Sequence, residues 1–581
     1  MQSKTPQFDA LLDPILAALV PHTRTCVWKG IHPHCEGDFD LVAEDIEFLR
    51  MLRAPASNYC PTCRRIRRMV YMNMARLFKR RCDVPGHKEQ MISILTPQCP
   101  FPVYDYEYFS GDQFDPFTFG VNWREGESPM EQLFAVRKIF PMPSFLNRDP
   151  SSVNSEYSNG GRNNKNVYYA MGCYTCEDIW YSGMIEKGKE IMDSTDVHQG
   201  DSVYDGVCAK NIYKSAFVYY SKDCSDCMFT FDCKNCSDCF GCVNLRNKRY
   251  CIWNEQKTKE EYEAFMQSIT PFSHKFLVET KEKFWKFIAT LPMNGSRNTS
   301  VKDVSGVLSD HCNNAHDITH CINADHVRHV DGALGHKDSM DLLFSGSSER
   351  VYQTINIGSQ SSNVKFSVSS KFTTESEFVF NSKSLSNCFM CFGLQNKSYC
   401  ILNKQYSPEE YWPLLDRIKT DMLRRGEWGE CPDMRFSPQS YNFSMAGIHY
   451  PVTREQAEAL GAFWAEDPET NVGNTPTIEA KDLPDTITDV DDSILTKAII
   501  CEETGRPFRI IATELAFYRK MKLPLPHVHP TTRRQGHFYL APNGKKFSAS
   551  CAKCGKDMES IFPKEKGYIL YCVDCYQQDF A

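Results

Sequence analysis

A chain of 581 residues is too long to fold around one hydrophobic core, so we expect several domains. The formal net charge of −7 and a pI near 6.2 argue against a generally basic nucleic-acid coat. Residues 8–20 are mostly apolar, but Asp9, Asp13 and Pro14 interrupt them, which favours a surface or packing helix over a signal peptide. Without an export signal, the 27 Cys are typical of metal ligands and small core residues in a cytoplasmic protein.

The first motif along the chain consists of two short segments, each with two candidate metal ligands. His32-x-x-Cys35 precedes Cys60-Pro-Thr-Cys63, and a tight turn lets both side chains of each pair reach one ion. The spacing predicts a zinc-ribbon module over residues 22–105, with His32, Cys35, Cys60 and Cys63 as ligands. Cys26 remains an alternative to His32.

A basic segment follows this motif, with eight Lys or Arg among residues 64–81. Helical spacing puts Ile66, Met69, Val70 and Leu77 on one stripe and turns basic side chains outward. One interpretation is a phosphate-binding helix that holds RNA or DNA. The other is that its arginines pair with acidic residues elsewhere in the chain. The candidate nucleic-acid residues are Arg64, Arg65, Arg67, Arg68, Arg76, Lys79, Arg80 and Arg81.

A twelve-residue repeat begins after a connector over residues 106–163. Small or apolar residues recur at one phase, and Asn or Asp recurs at another, as in Asn211, Asp223, Asn235 and Asn247. The first column is Val167, Ile179, Ile191, Val203, Ser215, Cys227 and Cys239. Such a short fixed period predicts stacked β-coils, in this case a β-solenoid half over residues 164–253. Residues 254–300 are expected to form a helical cap and connector.

A second copy of the repeat follows at an offset of 149 residues, as Cys239 to Cys388 illustrates. Counting backwards in twelves from Ser376 gives Val364, Tyr352 and Met340, which predicts a second solenoid half over residues 301–403. Residues 404–495 should contain a helix and a linker. The expected fold is therefore mostly β: a duplicated β-solenoid with capping helices, flanked by small α+β zinc-ribbon modules. Coils of twelve or of twenty-four residues both fit this period.

The repeat also contains three groups of polar residues with alternative interpretations. The cysteines from Cys224 to Cys242 have iron–sulfur spacing, but Val, Ile, Ala or Ser occupies the same phases elsewhere, which favours small core residues. The histidines between His311 and His336 leave open whether a metal binds there. Asp193, Asp196, Asp201 and Asp205 would be the acids of a carbohydrate-active or other enzyme on a coil face.

The C-terminal module, residues 496–581, repeats the N-terminal one at an offset of 469 residues. Its first ligand set is incomplete, since it keeps Cys501 and His529 but has Thr504 and Thr532. Its second set is complete: Cys551, Cys554, Cys572 and Cys575. The N-terminal counterpart of that second set has Pro85, Asp105 and Tyr108 in place of cysteines. One complete site at each chain end predicts two Zn²⁺ per chain and no iron.

Several motifs resemble a family of uncharacterised cysteine-rich zinc-ribbon proteins of candidate-phyla bacteria. They include Pro61-Thr-Cys-Arg-Arg, Lys79-Arg-Arg-Cys-Asp and Phe517-Tyr-Arg-Lys-Met, and the resemblance runs from about Cys35 to Cys575. It implies a zinc ribbon and no established activity, substrate or further cofactor. His32 stands where that family has a cysteine.

The function expected from these features is that of a non-enzymatic zinc-binding scaffold or adaptor. Its terminal zinc modules would bind protein or nucleic-acid partners. The alternatives are a nucleic-acid-binding protein that acts through residues 64–81 and an enzyme on the solenoid face. The sequence contains no nucleotide-binding loop or nucleophile elbow, which favours a non-enzymatic function.

Overall fold

The computed structural model describes residues 3–146, 149–299, 301–309, 313–318, 328, 336–343, 346–356, 360–468, 472–538, 540 and 545–580. These residues contain thirteen α-helices. The helices are α1 (Pro6–Ala17), α2 (Ala43–Leu52), α3 (Pro61–Met69), α4 (Tyr106–Ser110), α5 (Pro129–Ile139), α6 (Lys259–Ile269), α7 (His274–Ala289), α8 (Pro408–Arg425), α9 (Met445–His449), α10 (Arg454–Ala459), α11 (Ala512–Met521), α12 (Pro530–Phe538) and α13 (Val573–Phe580). None of these described helices is both long enough and apolar enough to span a membrane.

Short hairpins build the N-terminal module. The antiparallel pair β1 (His22–Thr25) and β2 (Asp38–Leu41) precedes α2, and β3 (Phe78–Arg81) pairs with β4 (Gln90–Ser93). A parallel pair, β5 (Val103–Tyr104) and β6 (Met142–Pro143), then joins the module to the chain that enters the first repeat.

The first repeat forms a parallel assembly that we name the first parallel stack. Its strands are β7 (Ser158–Asn159), β8 (Lys165–Tyr168), β9 (Ala170–Met171), β10 (Glu177–Trp180), β11 (Ile191–Met192), β12 (Asp201–Val207), β13 (Lys210–Tyr219), β14 (Lys222–Ser225), β15 (Met228–Phe231), β16 (Ser237–Val243), β17 (Arg249–Ile252) and β18 (Glu255–Gln256). Ile179 pairs with Ile191, and Ile191 pairs with Val203, so twelve residues is the pairing offset. An antiparallel turn from β17 to β18 ends the stack.

The second repeat follows β19 (Pro292–Asn294), β20 (Lys302–Gly306) and β21 (Asn313–Ile318). Its seven-stranded sheet, the second parallel stack, consists of β22 (His336–Lys337), β23 (Ser348–Tyr352), β24 (Ser361–Lys365), β25 (Thr374–Phe380), β26 (Lys383–Phe392), β27 (Gln395–Ile401) and β28 (Lys404–Gln405). Helices α6 and α8 follow the two stacks, and both begin with a capping box at the acidic motifs that the sequence singles out.

The C-terminal module repeats the N-terminal element order. A three-stranded sheet contains β29 (Thr477–Glu479), β30 (Ala498–Ile500) and β31 (Pro507–Phe508), and helices α11 and α12 follow it. An antiparallel pair, β32 (Phe547–Ser550) and β33 (Asp557–Ser560), precedes β34 (Ile569–Tyr571). Strand β34 pairs in parallel with β19, as β5 pairs with β6 in the N-terminal module.

The prediction of a mostly β chain built as a duplicated β-solenoid is wrong. The described residues are 29% helical and 28% strand, and they contain a closed four-stranded parallel barrel together with several separate sheets. Helices also do more than cap the repeats, because α3, α8, α11 and α12 contribute buried side chains to the main cores. The periodic segment dominates the sequence pattern, whereas the helices outside it are short and lack a comparable repeat.

Left-handed backbone conformations recur along the parallel strands with a regular spacing. Positive φ values recur at every third residue, as at Asn211 (52°), Lys214 (44°), Phe217 (57°) and Tyr220 (52°). Each such residue bends the chain, and four of them fall within each twelve-residue repeat of this segment. Among residues other than Gly, Asn and Asp tolerate this conformation best, which explains why they recur at one phase of the repeat.

The register of the second stack differs from the count in twelves at one step. Val351 pairs with Val364, an offset of thirteen, so one extra residue separates β23 from β24. Val351, and not Tyr352, is therefore the counterpart of Val364. A single-residue insertion in the connection between two strands cannot be seen in a pattern of hydrophobic residues. In the count backwards from Ser376, Tyr352 and Met340 are therefore each one residue too late in the sequence.

Inward Ser and Cys side chains have the same role in the stacks. The Ser215 hydroxyl donates to the carbonyl of Tyr213 and accepts the backbone N–H of Cys227. The Cys227 thiol likewise lies 3.1 Å from the carbonyl of Ser225. These cysteines belong to a buried core with Val and Ile neighbours. The four-cysteine groups found among the described residues lie elsewhere, near the chain ends.

We expect the Cys227→Val substitution to change the free energy of unfolding by less than about 1.5 kcal/mol, because Val167 and Val203 occupy equivalent inward positions. Cys227→Asp should be severe, since it buries a carboxylate in an apolar core. Thermal melts of both variants test this expectation. If the Val variant melts as early as the Asp variant, the thiol of Cys227 has a role beyond packing.

The two end modules pack against opposite stacks. One continuous core joins residues of α1, α2 and α3 to the second parallel stack and α8, and it includes Phe8 and Phe366. Another core joins the first parallel stack and α7 to the C-terminal module, and it includes Phe229 and Phe517. The N-terminal module thus covers the distant repeat, and the C-terminal module covers the early one. This crossed arrangement sets the surroundings of both four-cysteine clusters.

Candidate metal centres

The N-terminal cluster consists of Cys26, Cys35, Cys60 and Cys63, whose sulfur atoms all lie within 4.8 Å of one another. Cys26 directly follows β1, and its backbone N–H donates to the carbonyl of Gly37 at 2.9 Å. Cys60 is the N-cap of α3, and its thiol accepts the backbone N–H of Cys63 at 3.4 Å. A β-hairpin and a helix start therefore converge on one point, which brings four thiols within reach of a single ion.

His32 is not part of this cluster, which corrects the predicted ligand set. Its Nδ1 accepts the backbone N–H of His34 at 3.1 Å, and its Nε2 lies 3.2 Å from the hydroxyl of Tyr441. Burial lowers the pKa of His32 to about 4, so the ring is neutral. Cys26, the alternative in the sequence, takes the place predicted for His32.

The hairpin geometry explains this error. In the C-terminal module, Cys501 donates its N–H to the carbonyl of Arg506, as Cys26 does to Gly37. Gly37 and Arg506 are 469 residues apart, whereas Cys26 and Cys501 are 475 apart. The N-terminal turn has six extra residues. An alignment at the constant offset of 469 residues therefore pairs Cys501 with His32 instead of Cys26. The sequence signal that identifies Cys26 as the ligand is the polar strand β1 directly before it. This strand corresponds to β30, which directly precedes Cys501.

The C-terminal cluster has the predicted composition: Cys551, Cys554, Cys572 and Cys575. Cys551 follows β32, and Gly555, with φ of 76°, closes a tight turn by donating its N–H to the carbonyl of Cys551. The sulfur atoms of Cys554 and Cys572 are 3.8 Å apart. Tetrahedral zinc with Zn–S bonds near 2.3 Å needs sulfur separations of about 3.8 Å. Cys554 is exposed, whereas the other three thiols are buried.

One thiol in each cluster is acidified by its surroundings. The Cys63 thiol donates to Cys60 and lowers the pKa of Cys60 to about 6, against the opposing effect of burial. Burial would raise the pKa of Cys551, but the backbone N–H groups of Cys572, Cys554 and Lys553 lower it to about 6. Backbone donors that point at sulfur favour thiolates, which are the form that binds metal.

The two incomplete sites keep their backbone geometry. His529 donates its N–H to the Cys501 thiol at 3.2 Å, as Cys60 does to Cys26 at 3.3 Å. In the N-terminal module, Asp105 donates its N–H to the Cys82 thiol at 3.3 Å. The Asp105 carboxylate caps α4, so it has a structural role at the position of a ligand.

The predicted nucleic-acid residues are mostly buried, which corrects the phosphate-binding interpretation. Arg64 and Arg68 lie in the core, at 3.2 and 3.5 Å from the carboxylate of Asp341. Arg67 pairs with Glu430 at 3.3 Å. Arg64, Arg67 and Arg68 of α3 therefore bind acidic residues of this chain, as the second interpretation of the segment proposed.

The remaining basic residues of the segment are Arg65, within α3, and four residues beyond this helix. Arg76 pairs with Asp467 at 2.8 Å, and Arg80 pairs with Asp83 at 2.7 Å. Arg65 is partly buried, and Lys79 and Arg81 of β3 are exposed. The prediction of one long outward helix is wrong because α3 ends at Met69.

The equivalent helix α12 makes matching contacts with the first stack. Arg533, the counterpart of Arg64, lies 3.0 Å from the carboxylate of Asp193. His537, the counterpart of Arg68, lies 2.9 Å from Asp205, which also accepts a hydrogen bond from Lys281 at 2.7 Å. Burial would raise the pKa of Asp205, but Lys281 and His537 lower it below the usual range. Both modules thus place a cation beside a stack carboxylate.

Two other sequence candidates have different outcomes. Asp193, Asp196 and Asp205 are buried and Asp201 is half-buried, so the four acids do not form an open ladder. Among the histidines between His311 and His336, His311, His320, His326 and His329 lie outside the described residues.

Comparisons with known proteins give no family. No protein-family model matches the sequence, and no curated protein matches it. Among solved structures, the chain is similar to a proposed acetyltransferase from Desulfovibrio desulfuricans G20, with 9% identity and a TM-score of 0.09 over 40% of this chain. The match spans 65% of that protein, less than two thirds of its length. A likeness this weak carries no argument about fold or function.

Proposed function

We propose that this chain is a non-enzymatic scaffold in which two Zn²⁺ ions, one in each four-cysteine cluster, hold the end modules in shape on the parallel stacks. The observation that carries the proposal is the position of the clusters. Each lies in an end module, and each module is packed on the stack from the other half of the chain. The zinc sites would therefore act as structural clamps.

The donor chemistry supports zinc in a structural role. Four cysteine thiolates suit Zn²⁺, and such a set leaves no coordination position for a substrate or a water. Three of the four thiols are buried in each cluster, which fits a closed site. Catalytic zinc sites commonly have only three protein ligands. Each of these clusters has four, as a structural site does.

The surroundings of the acidic residues support the absence of catalysis. Asp193 faces Arg533, and Asp205 is held by His537, Lys281 and the hydroxyl of Tyr219 at 3.1 Å. A general acid or base needs access to a substrate, whereas these carboxylates are covered by α12 and α7. Their charges are used inside the fold.

Partner binding would have to use the outward surfaces of the end modules. Internal ion pairs engage three arginines of α3: Arg64, Arg67 and Arg68. This disfavours a nucleic-acid interface on α3. Residues 552–557 at the tip of the C-terminal turn are exposed. A macromolecular partner would have access to this tip, which includes the exposed ligand Cys554.

We expect protein purified without added metal to contain two zinc ions per chain and no iron, and to release them in two phases. The C-terminal ion should leave first when a chelator is added, because Cys554 is exposed, while Cys60 and Cys63 are fully buried. Elemental analysis gives the stoichiometry. A colorimetric zinc indicator follows the release.

Variants assign the two phases. Cys554→Ser should remove the fast phase alone, because each site is closed locally. Cys99→Ser, which changes a half-buried thiol outside both clusters, should leave both phases intact. Four zinc ions, iron with visible absorbance, or unchanged release from the Cys554 variant would contradict the assignment.

A further inference from the structure

A third group of metal-ligating side chains lies outside both cysteine clusters. It consists of His274, Glu502 and His527, whose ligand atoms all lie within 4.8 Å of one another. The two imidazole rings are stacked, with their centroids 3.4 Å apart and their planes at 7°. Nδ1 of His527 is 3.3 Å from a carboxylate oxygen of Glu502. Three donors from distant parts of the sequence thus converge on one small volume.

His527 has a buried ring nitrogen without a partner. Its side chain is only 10% exposed, and its Nε2 makes no hydrogen bond to any of the described residues. A buried polar atom that lacks a partner is destabilising, and a water or ion at the site is one explanation for it. A metal ion bound to this imidazole would account for its position beside a second histidine and a carboxylate.

The backbone holds all three residues in place. Glu502 donates its N–H to the carbonyl of His527 at 3.2 Å, which ties these two ligands together. His274 is the first residue of α7, and its N–H donates to the carbonyl of Asp485 at 2.7 Å. The ligand set therefore needs only side-chain rotation to close around an ion. Such prior fixing lowers the conformational cost of binding.

We propose that His274, Glu502 and His527 bind one divalent transition-metal ion of the Zn²⁺, Ni²⁺ or Co²⁺ type. Two imidazoles and one carboxylate suit such ions, whereas Mg²⁺ and Ca²⁺ prefer oxygen ligands throughout. Glu502 is 44% exposed, so the site opens to solvent. Three protein ligands leave a coordination position free for water or a small anion. This site differs in kind from the closed cysteine clusters.

The position of the site gives it a structural consequence. Glu502 and His527 belong to the incomplete half of the C-terminal module, next to Cys501 and close to His529. His274 belongs to α7, which packs on the first parallel stack. A bound ion would join the module to this helix. The half that lacks a cysteine quartet would thus gain its own metal link to the body of the protein.

The test uses the full chain with zinc already present in both cysteine clusters. Isothermal titration with ZnCl₂, repeated with NiCl₂, should show one further equivalent bound per chain. Glu502→Gln should weaken this binding at least tenfold, and His527→Asn should abolish it. His22→Asn, at an exposed histidine of β1, is the matched control and should bind like the wild type. The added metal should also raise the Tm of the wild type but not that of the His527 variant.

Several results would overturn the proposal. One is the absence of a further equivalent in the wild type. Another is binding that the Glu502 and His527 substitutions leave as tight as in the control. Because Glu502 is substantially exposed, Glu502→Gln is expected to keep the fold and two zinc ions, which elemental analysis verifies. The outcome is independent of the cysteine clusters, since no variant in the test changes a cysteine.

Discussion

Replacing Cys63 with Ser is expected to reduce the free energy of unfolding by more than about 4 kcal/mol, enough to leave much of the chain unfolded or aggregated. Cys63 is fully buried in the core that joins the N-terminal module to the second parallel stack. Structural zinc contributes about 10–16 kcal/mol of apparent binding energy in zinc-finger peptides, and that energy is coupled to folding. Denaturant unfolding and zinc content together measure the loss.

Cys82→Ser provides the matched control for this prediction. Cys82 is buried at the duplicated position of Cys551, and its thiol accepts the backbone N–H of Asp105. Serine can accept the same hydrogen bond, so we expect a cost of about 1 kcal/mol and an unchanged zinc content. A Cys63 variant that keeps two zinc ions and unfolds like the Cys82 variant would show that the N-terminal cluster does not bind metal.

Local spacing was sufficient to predict the C-terminal cluster. Cys551-x-x-Cys554 and Cys572-x-x-Cys575 each span one tight turn, so sequence distance and spatial distance agree. The N-terminal cluster was only partly predictable, because six extra residues separate Cys26 from Cys35. An insertion in a turn preserves the hydrogen bond from Cys26 to Gly37 while it destroys the sequence spacing. Hairpin register was the missing information.

The fold class was harder to predict than the sites. The twelve-residue repeat correctly predicts the pairing of parallel strands. It leads to too high a predicted share of β-structure, because the helices outside the repeat have no period that reveals them. Helical spacing predicts outward positions for Arg64 and Arg68, because the carboxylate that pairs with them, Asp341, lies far along the chain in the second stack. Long-range electrostatic pairing leaves no local pattern, whereas a twelve-residue period does.

Replacing Arg533 with Met is expected to cost about 3–5 kcal/mol of unfolding free energy, because it leaves buried carboxylates without their cation. Arg533 lies 3.0 Å from Asp193 and 4.0 Å from Glu514, and both acids are almost fully buried. Burial raises the pKa of Asp193, and it raises that of Glu514 to about 7, although Arg533 opposes both shifts. Denaturant unfolding at neutral pH measures the cost.

The duplicated helix supplies a comparison that separates lost charge from lost packing. Arg64→Met removes the counterpart of Arg533, but Asp341 keeps Arg68 at 3.5 Å, so the loss there should be smaller. The counterpart of Arg68 is His537, which is engaged with Asp205. In the double variant Arg533→Met with Asp193→Leu, an apolar pair replaces the ion pair, and most of the lost stability should return. Equal losses in the Arg64 and Arg533 variants, with no recovery in the double variant, would mean that Arg533 acts through packing of its side-chain stem instead of its charge.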